Sequence, residues 1–140
     1  MIKKQIFILF IVFIFPTILF AKSEHLKEGI DLFIQNKFED AKFKFEQDIV
    51  FNPRSELSYL YLSKIFNKQD KKKLEEQNLN AVILLNPKNE EAIYNLAKLK
   101  LDSSDYKKSK ELNDKLKSLC NQLCDQSNKL KIEIENLSKK

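Results

Sequence analysis

Glycine is almost absent from this 140-residue chain, which has one glycine and three prolines. Loops that cradle phosphate groups use several glycines in a short stretch, because their backbone must approach the ligand closely and adopt positive φ. Gly29 alone cannot form such a loop, which excludes a nucleotide-binding motif. Scarce Gly and Pro beside abundant Leu, Lys, Glu, Asn and Ile favour helix and leave few residues for hairpin turns. The sequence therefore predicts an all-α fold.

Charge is missing from one long run near the start of the chain. Residues 5–20 read QIFILFIVFIFPTILF, and two lysines precede them. A basic start followed by an apolar run is typical of an export signal. The run is shorter than the roughly 17 to 25 residues that span a bilayer, which favours a signal peptide over an uncleaved membrane anchor for residues 1–21. Both interpretations predict an exported protein, periplasmic or membrane-associated in the cell envelope, and cleavage is expected after Ala21 or Ser23.

Side chains suited to catalysis or metal binding are also scarce. The only histidine, His25, is far in sequence from the two cysteines, Cys120 and Cys124. A zinc site needs more ligands than two thiolates. Lys71–Lys73 lacks the interleaved aromatic residues that nucleic-acid binding uses. We therefore predict no enzymatic activity, no catalytic residues, no metal site, no cofactor and no nucleic-acid partner.

Two of the prolines occur in matching settings 34 residues apart. Ile49–Glu56 reads IVFNPRSE and Ile83–Glu90 reads ILLNPKNE. Shifting the chain by 34 also aligns three small residues, Gly29, Ser63 and Ala97. A fixed period of 20 to 50 residues indicates stacked supersecondary units. The sequence therefore predicts three repeats, residues 22–55, 56–89 and 90–123, which cover nearly all of the chain after the apolar segment.

Each repeat divides into two amphipathic helices. Apolar residues in the first unit recur at helical spacing, and polar residues 35–37 interrupt them. Proline ends the second helix of the first two repeats, because the residue before proline is disfavoured in helical geometry, and Cys120-Asn121 replaces Asn-Pro in the third. Several polar residues are expected to cap the helices: Asn36 with Glu39, Ser55, Asn89 and Asp105. Residues 124–140 are expected to form a capping helix with Asp125 at its start, although one continuous helix from Asp105 onward is an alternative.

This pattern resembles the tetratricopeptide repeat (TPR) family, whose unit of 34 residues forms two antiparallel helices. The residues that carry the resemblance are Gly29, Phe38, Ala41, Phe45 and Pro53, then Tyr59, Leu62, Ser63, Phe66 and Pro87, then Ile93, Leu96, Ala97, Tyr106 and Leu116. The resemblance implies a right-handed superhelical stack. Unit two departs from the family pattern at Lys72, where the family has an aromatic residue, and at Glu75, where it has a small one. Unit three has Asn113 in place of a bulky residue. The second helix of unit two is therefore expected to be the loosest part of the stack.

The cysteine pair permits three interpretations. Cys120 and Cys124 stand at the predicted corner before the capping helix in an exported chain, which favours a disulfide across the turn. Some exported TPR proteins look similar here. The alternatives are two reduced, half-buried thiols, or thiol chemistry, for which the CxxxC spacing is unfavourable.

The resemblance also implies that the first helices line a concave, partner-binding face. The residues expected on or near it are Leu26, Ile30, Phe33, Ile34, Leu60, Lys64, Lys68, Tyr94, Lys98 and Leu101. Such a groove suits an amphipathic helix or an extended peptide, with apolar anchors near Ile30 and Phe33 and acidic groups near Lys64 and Lys98. Packing of the apolar residues against their own second helix is the alternative. The family's clamp for C-terminal carboxylates is not carried over, because the corresponding positions hold Leu26, Ile30, Tyr61, Glu91 and Asn95.

The sequence thus predicts an exported adaptor or scaffold that binds a protein or peptide, in cell-envelope assembly. One alternative is a structural subunit docked permanently in a larger membrane complex. A less favoured alternative is a thiol-disulfide protein that uses Cys120 and Cys124.

Overall fold

The computed structural model describes residues 23–139, so the predicted signal or anchor segment, residues 1–21, lies outside the described residues. Seven helices and no strands make up this range: α1 (Glu24–Ile34), α2 (Phe38–Phe51), α3 (Glu56–Lys68), α4 (Lys72–Leu85), α5 (Glu90–Asp102), α6 (Tyr106–Leu119) and α7 (Cys124–Leu137). The predicted all-α fold of three helix pairs and a C-terminal helix is confirmed. Between residues 23 and 139 no helix has the length and apolar character needed to cross a membrane.

The helices of each pair are joined by a three-residue turn whose central residue has a left-handed backbone. These residues are Asn36, Asp70 and Ser104, with φ of 60°, 51° and 62°. In the first turn the Lys37 amide donates to the Leu32 carbonyl and the Asn36 amide to that of Phe33. These two bonds satisfy carbonyls that the end of α1 would otherwise leave unpaired, and the other two turns repeat them.

The predicted caps are correct at two of five positions. The side chains of Asn89 and Asp105 accept hydrogen bonds from the amides of Ala92 and Lys108. Asn36 does not cap α2, because it occupies the left-handed turn position and Lys37 precedes the helix. Ser55 precedes α3, but its hydroxyl donates to Ser58 instead of accepting from a backbone amide. Asp125 lies inside α7, which Leu123 precedes.

Close approach within the first helix pair depends on the single glycine. A Cβ atom at Gly29 would lie 2.7 Å from the fully buried Phe45 ring of α2. Such a separation is too short for two carbon atoms, so α1 and α2 can pack at this distance only over glycine. Ser63 and Ala97 are the buried small residues at the same place in the next two pairs.

Buried side chains form one core around the first helix pair and another that extends from α3 to α7. Polar side chains also form hydrogen bonds between helices. Ser58 of α3 donates to the buried carboxylate of Asp48 in α2. Asn113 of α6 donates to the Ser127 carbonyl in α7 and accepts from the Ser127 hydroxyl, at 3.1 and 3.0 Å. Asn113, which departs from the family pattern, therefore holds α7 against α6 through these two hydrogen bonds.

Two further sequence expectations concern α4 and α7. The continuous C-terminal helix is wrong, because α6 ends at Leu119 and α7 begins at Cys124. The described structure does not show α4 as loosely packed. Its Leu79 and Val82 are fully buried, and Glu75 is buried and accepts a hydrogen bond from Asn67 of α3 at 3.1 Å.

Candidate functional site

A cavity of about 320 Å³ opens on the face formed by the first helix of each pair. Its lining comes from α1, α3 and α5, with one residue of α4. The lining residues are Phe33, Ser63, Lys64, Asn67, Lys68, Glu75, Glu91, Asn95, Lys98, Leu99 and Asp102. The structure therefore brings together four of the ten residues expected from the sequence, namely Phe33, Lys64, Lys68 and Lys98.

The lysines of this cavity already have partners within the chain. Lys64 pairs with Glu91 of α5 at 2.7 Å. Lys98 contacts both carboxylate oxygens of Glu133 in α7, each at 3.1 Å. The Lys68 ammonium lies over the Phe38 ring, 5.2 Å from its centre. An acidic ligand at Lys64 or Lys98 would therefore have to displace a carboxylate, which the sequence alone did not indicate.

Phe33 and Leu99 are the apolar lining of the cavity, and other aromatic rings support Phe33. Phe33 packs edge-on against Phe38 and Tyr61, with ring centroids 5.5 and 5.1 Å apart. Tyr61 in turn stacks on Phe45, 5.1 Å away. Phe33 is half-buried, so one part of its ring supports the core and another faces the cavity. Ile30 is also half-buried and packs against the core without lining the cavity.

Three expected groove residues belong to the core instead. Leu26, Leu60 and Leu101 are buried, so a partner cannot reach them. Ile34 is exposed but lies outside the cavity. Helical periodicity correctly identified these residues as apolar face positions, but it could not separate the side chains that pack inward from those that border the groove.

Tyr94, the remaining expected residue, borders a second cavity of about 500 Å³. Lys88, Asn89, Glu90, Glu91, Tyr94, Asn95, Gln122, Leu123 and Gln126 line it. Glu91 and Asn95 line both cavities, so the two form one groove along α5.

Sequence reasoning missed most of the polar lining of this groove. Asn67 and Asn95 follow the aromatic residues Phe33 and Tyr61 by 34 positions. Aligning every face position across the repeats, and not only the apolar ones, would have identified Asn67. Asn95 was named from the sequence, but only as a position where the family's carboxylate clamp is absent. Asn side chains both donate and accept hydrogen bonds, as does a peptide backbone.

Two carboxyl groups at the groove have shifted pKa values. Burial raises the pKa of Glu75, and the hydrogen bond from Asn67 partly opposes this shift. Backbone hydrogen bonds lower the pKa of Glu90, the largest contribution coming from the Leu123 amide. Glu90 accepts from the amides of Asn121, Gln122 and Leu123 at 2.7, 3.0 and 2.9 Å. Its carboxylate thus holds the turn between α6 and α7 against the start of α5.

The same turn contains the cysteine pair. A disulfide joins Cys120, at the end of α6, to Cys124, the first residue of α7, with Cα atoms 5.2 Å apart. Among residues 23–139 no three His, Cys, Asp or Glu side chains are grouped as metal ligands. His25 stacks on Phe51 with ring centroids 5.6 Å apart.

No family model and no curated protein matches this chain. Solved structures do match. The TPR2B domain of yeast Sti1, in a complex with pHsp70, superposes with a TM-score of 0.74 at 14% identity, over 82% of this chain and 99% of that one. The Yersinia enterocolitica type III secretion chaperone SycD, in complex with a peptide of the translocator YopD, gives 0.73 at 14% identity, over 84% and 93%. The first TPR of Spaghetti (RPAP3), bound to the HSP90 peptide SRMEEVD, gives 0.72 at 15% identity, over 81% and 90%.

Proposed function

Because the chain has the tetratricopeptide-repeat fold, we propose that it is a non-enzymatic adaptor that binds a segment of a protein partner along α5. The groove shared by the two cavities carries this proposal. Three solved structures with this fold are described as holding a peptide or an Hsp70 partner, which supports a protein ligand here.

The chemistry of the groove narrows the kind of segment that fits. Phe33 offers an apolar contact, whereas Asn95 offers an amide able to pair with a peptide backbone. The lining lysines are matched by Glu91, Glu133 and other acids, so the groove has little net attraction for a strongly charged ligand. We therefore favour an extended, weakly charged segment with one apolar side chain, and we no longer place acidic groups at Lys64 and Lys98.

We further propose that this adaptor is an exported protein. The basic start and the uncharged run of residues 5–20 support export, and a disulfide between Cys120 and Cys124 suits an oxidising compartment. A role in cell-envelope assembly follows from that location. The thiol-disulfide alternative uses the same cysteines, but it gives no role to the groove.

Site-specific photocrosslinking in intact cells tests this proposal. A benzophenone amino acid replaces Asn95 in the groove, and a matched sample carries it at Lys110, an exposed position on α6. We expect one or a few discrete adducts from position 95 that position 110 does not give. They should persist in a chain with Cys120→Ser and Cys124→Ser, because the proposed binding does not use thiol chemistry. Identical adducts from positions 95 and 110, or none from position 95, would contradict the adaptor function.

A further inference from the structure

One end of the helical stack brings together the starts of α1, α3 and α5 and the ends of α2, α4 and α6. We call this the entry end, and the opposite end, with the three left-handed turns, the far end. Contacts show that these termini adjoin. Glu56, at the start of α3, accepts from Asn86 and Asn89 beyond the end of α4. Glu90, at the start of α5, accepts from the amides that follow α6.

The entry end exposes large apolar side chains. Leu84, Val50 and Phe51 are 81%, 75% and 74% exposed, more than any other large apolar residue in the described range. Leu57, at the start of α3, is also exposed at this end. Val50 and Leu84 are 34 residues apart and so occupy the same place in successive repeats. Exposed apolar side chains that cluster on one surface indicate an interaction site.

The uncharged run of the sequence leads directly to this surface. Phe20 closes that run, and α1 begins four residues later at Glu24. Four residues span at most about 14 Å. The stacking of His25 on Phe51 fixes the start of α1 beside the exposed end of α2. The chain length between position 20 and the start of α1 is therefore at most about 14 Å.

Basic residues accompany the apolar ones. Arg54 and Lys88 are exposed at equivalent places in two turns, and within the described range neither belongs to an ion pair. The carboxylates of Glu56 and Glu90 are held by hydrogen bonds to the turns, while Glu24 is an exposed acid. Arg54 and Lys88 are therefore available to contact headgroup phosphates beside the apolar side chains, although Glu24, Glu56 and Glu90 lie at the same end.

We propose that the entry end of the folded chain rests on the surface of a lipid bilayer. Val50, Phe51 and Leu84 lie in the headgroup region, and Arg54 and Lys88 face lipid phosphates. This proposal concerns the chain that keeps residues 5–20 as a membrane anchor, the alternative to a cleaved signal peptide. The retained uncharged run favours lipid as the occupant over a second copy of the chain. Val50, Phe51, Leu84 and Arg54 line neither cavity, so the apolar contact is independent of the proposed groove, whereas Lys88 also lines the second cavity.

Fluorescence of the full chain in nanodiscs of phosphatidylcholine and phosphatidylglycerol tests the contact. An environment-sensitive fluorescent amino acid is placed at position 84 and, in a matched sample, at position 34. Ile34 is 70% exposed but is the last residue of α1, at the far end, and the length of this 11-residue helix separates the two ends by about 16 Å. We expect emission at a shorter wavelength from position 84 than from position 34. We also expect quenching by shallow nitroxide-labelled lipid to be several-fold stronger at position 84.

A tether through residues 5–20 alone would bring position 84 near lipid but leave it in water. Equal emission wavelengths at the two positions would therefore overturn the proposal. A shorter wavelength at position 84 without lipid quenching would also overturn it, because protein would then cover the site. Both positions are exposed, so neither probe is expected to disturb the core, and circular dichroism verifies that helix content is retained.

The basic residues are tested by charge reversal against matched lysines at the far end. Arg54→Glu with Lys88→Glu should reduce the lipid quenching at position 84 at least two-fold. Lys37→Glu with Lys71→Glu changes the net charge equally, at exposed positions in two far-end turns, and should leave the quenching unchanged. An equal effect of the two pairs would overturn the assigned contact of Arg54 and Lys88 with lipid phosphates.

Discussion

Single residues set the geometry of the turns within the repeats. Asn36, Asp70 and Ser104 occupy the same left-handed position, which sequence reasoning predicted for none of them. Asn and Asp enter this region readily, because their short polar side chains bond locally, whereas other L-residues pay about 1–2 kcal/mol. Ser104 is therefore the most strained of the three central turn residues.

Replacing the strained serine by glycine should stabilise the chain. Ser104→Gly relieves the left-handed strain but adds freedom to the unfolded chain, for a net gain of roughly 0.5–1 kcal/mol. Thermal unfolding should show a rise in Tm of about 2–4 °C. Asn36→Gly is the control and should change Tm by less than about 1 °C, because asparagine already tolerates this backbone. Equal gains from the two substitutions would show that strain at Ser104 is not the cause.

Residues that depart from the repeat pattern were the hardest to interpret from sequence. Glu75 and Asn113 stand where bulky or small apolar residues were expected, and both are buried with hydrogen-bond partners on a neighbouring helix. Periodicity shows that a position faces inward, but it does not show which polar group of a neighbouring helix lies opposite that position. The partners Asn67 and Ser127 belong to other helices, so neither contact could be predicted.

At the scale of helices, the sequence was a good guide. Asn-Pro ends α2 and α4 within two residues of the predicted places, because a residue before proline leaves the helical region. The starts of α5 and α6 were predicted from Asn89 and Asp105, which do cap them. The errors arose where a polar residue had another local use, as at Ser55, whose hydroxyl joins the buried Ser58 and Asp48 between α2 and α3.

Packing of α4 on α3 should depend on pH through Glu75. Burial raises its pKa in the folded chain, so folding favours the protonated form. That stability is fully present below the unfolded pKa and is lost as pH rises through the higher folded value. Glu75→Gln keeps an oxygen acceptor for Asn67 without the charge. It should raise the free energy of unfolding near neutral pH, on the order of 0.5–1 kcal/mol, and have little effect in acid.

Urea unfolding at several pH values measures this difference. The exposed Glu46→Gln in α2 removes the same charge without a buried partner and is the control. If Glu75→Gln raises the free energy of unfolding by the same amount at every pH, the buried charge is not responsible.

At the scale of the molecule, the repeat period predicted the stack but not the character of its groove. Lys64 and Lys98 are neutralised by Glu91 in the next repeat and Glu133 in α7. Such pairs depend on how helices from different repeats approach, which a 34-residue period does not specify. The first cavity is lined mainly by first helices, where the resemblance implied a partner-binding face, and only the structure showed that Lys64 and Lys98 are paired with carboxylates.

At the C-terminal end of the described stack, α7 covers α6 and the disulfide joins the two. In a stack of repeats each unit contacts only its neighbours, so a change at one end should remain local. Cys120→Ser with Cys124→Ser frees a short loop in the unfolded chain, a loss of about 2 kcal/mol in the chain-entropy model. Hydrogen exchange should show reduced amide protection in α7 and the end of α6, with α1 and α2 nearly unchanged. Reducing the native disulfide with a dithiol should reproduce this pattern, whereas an equal loss of protection in α1 and α7 would show that the stack unfolds as a single unit.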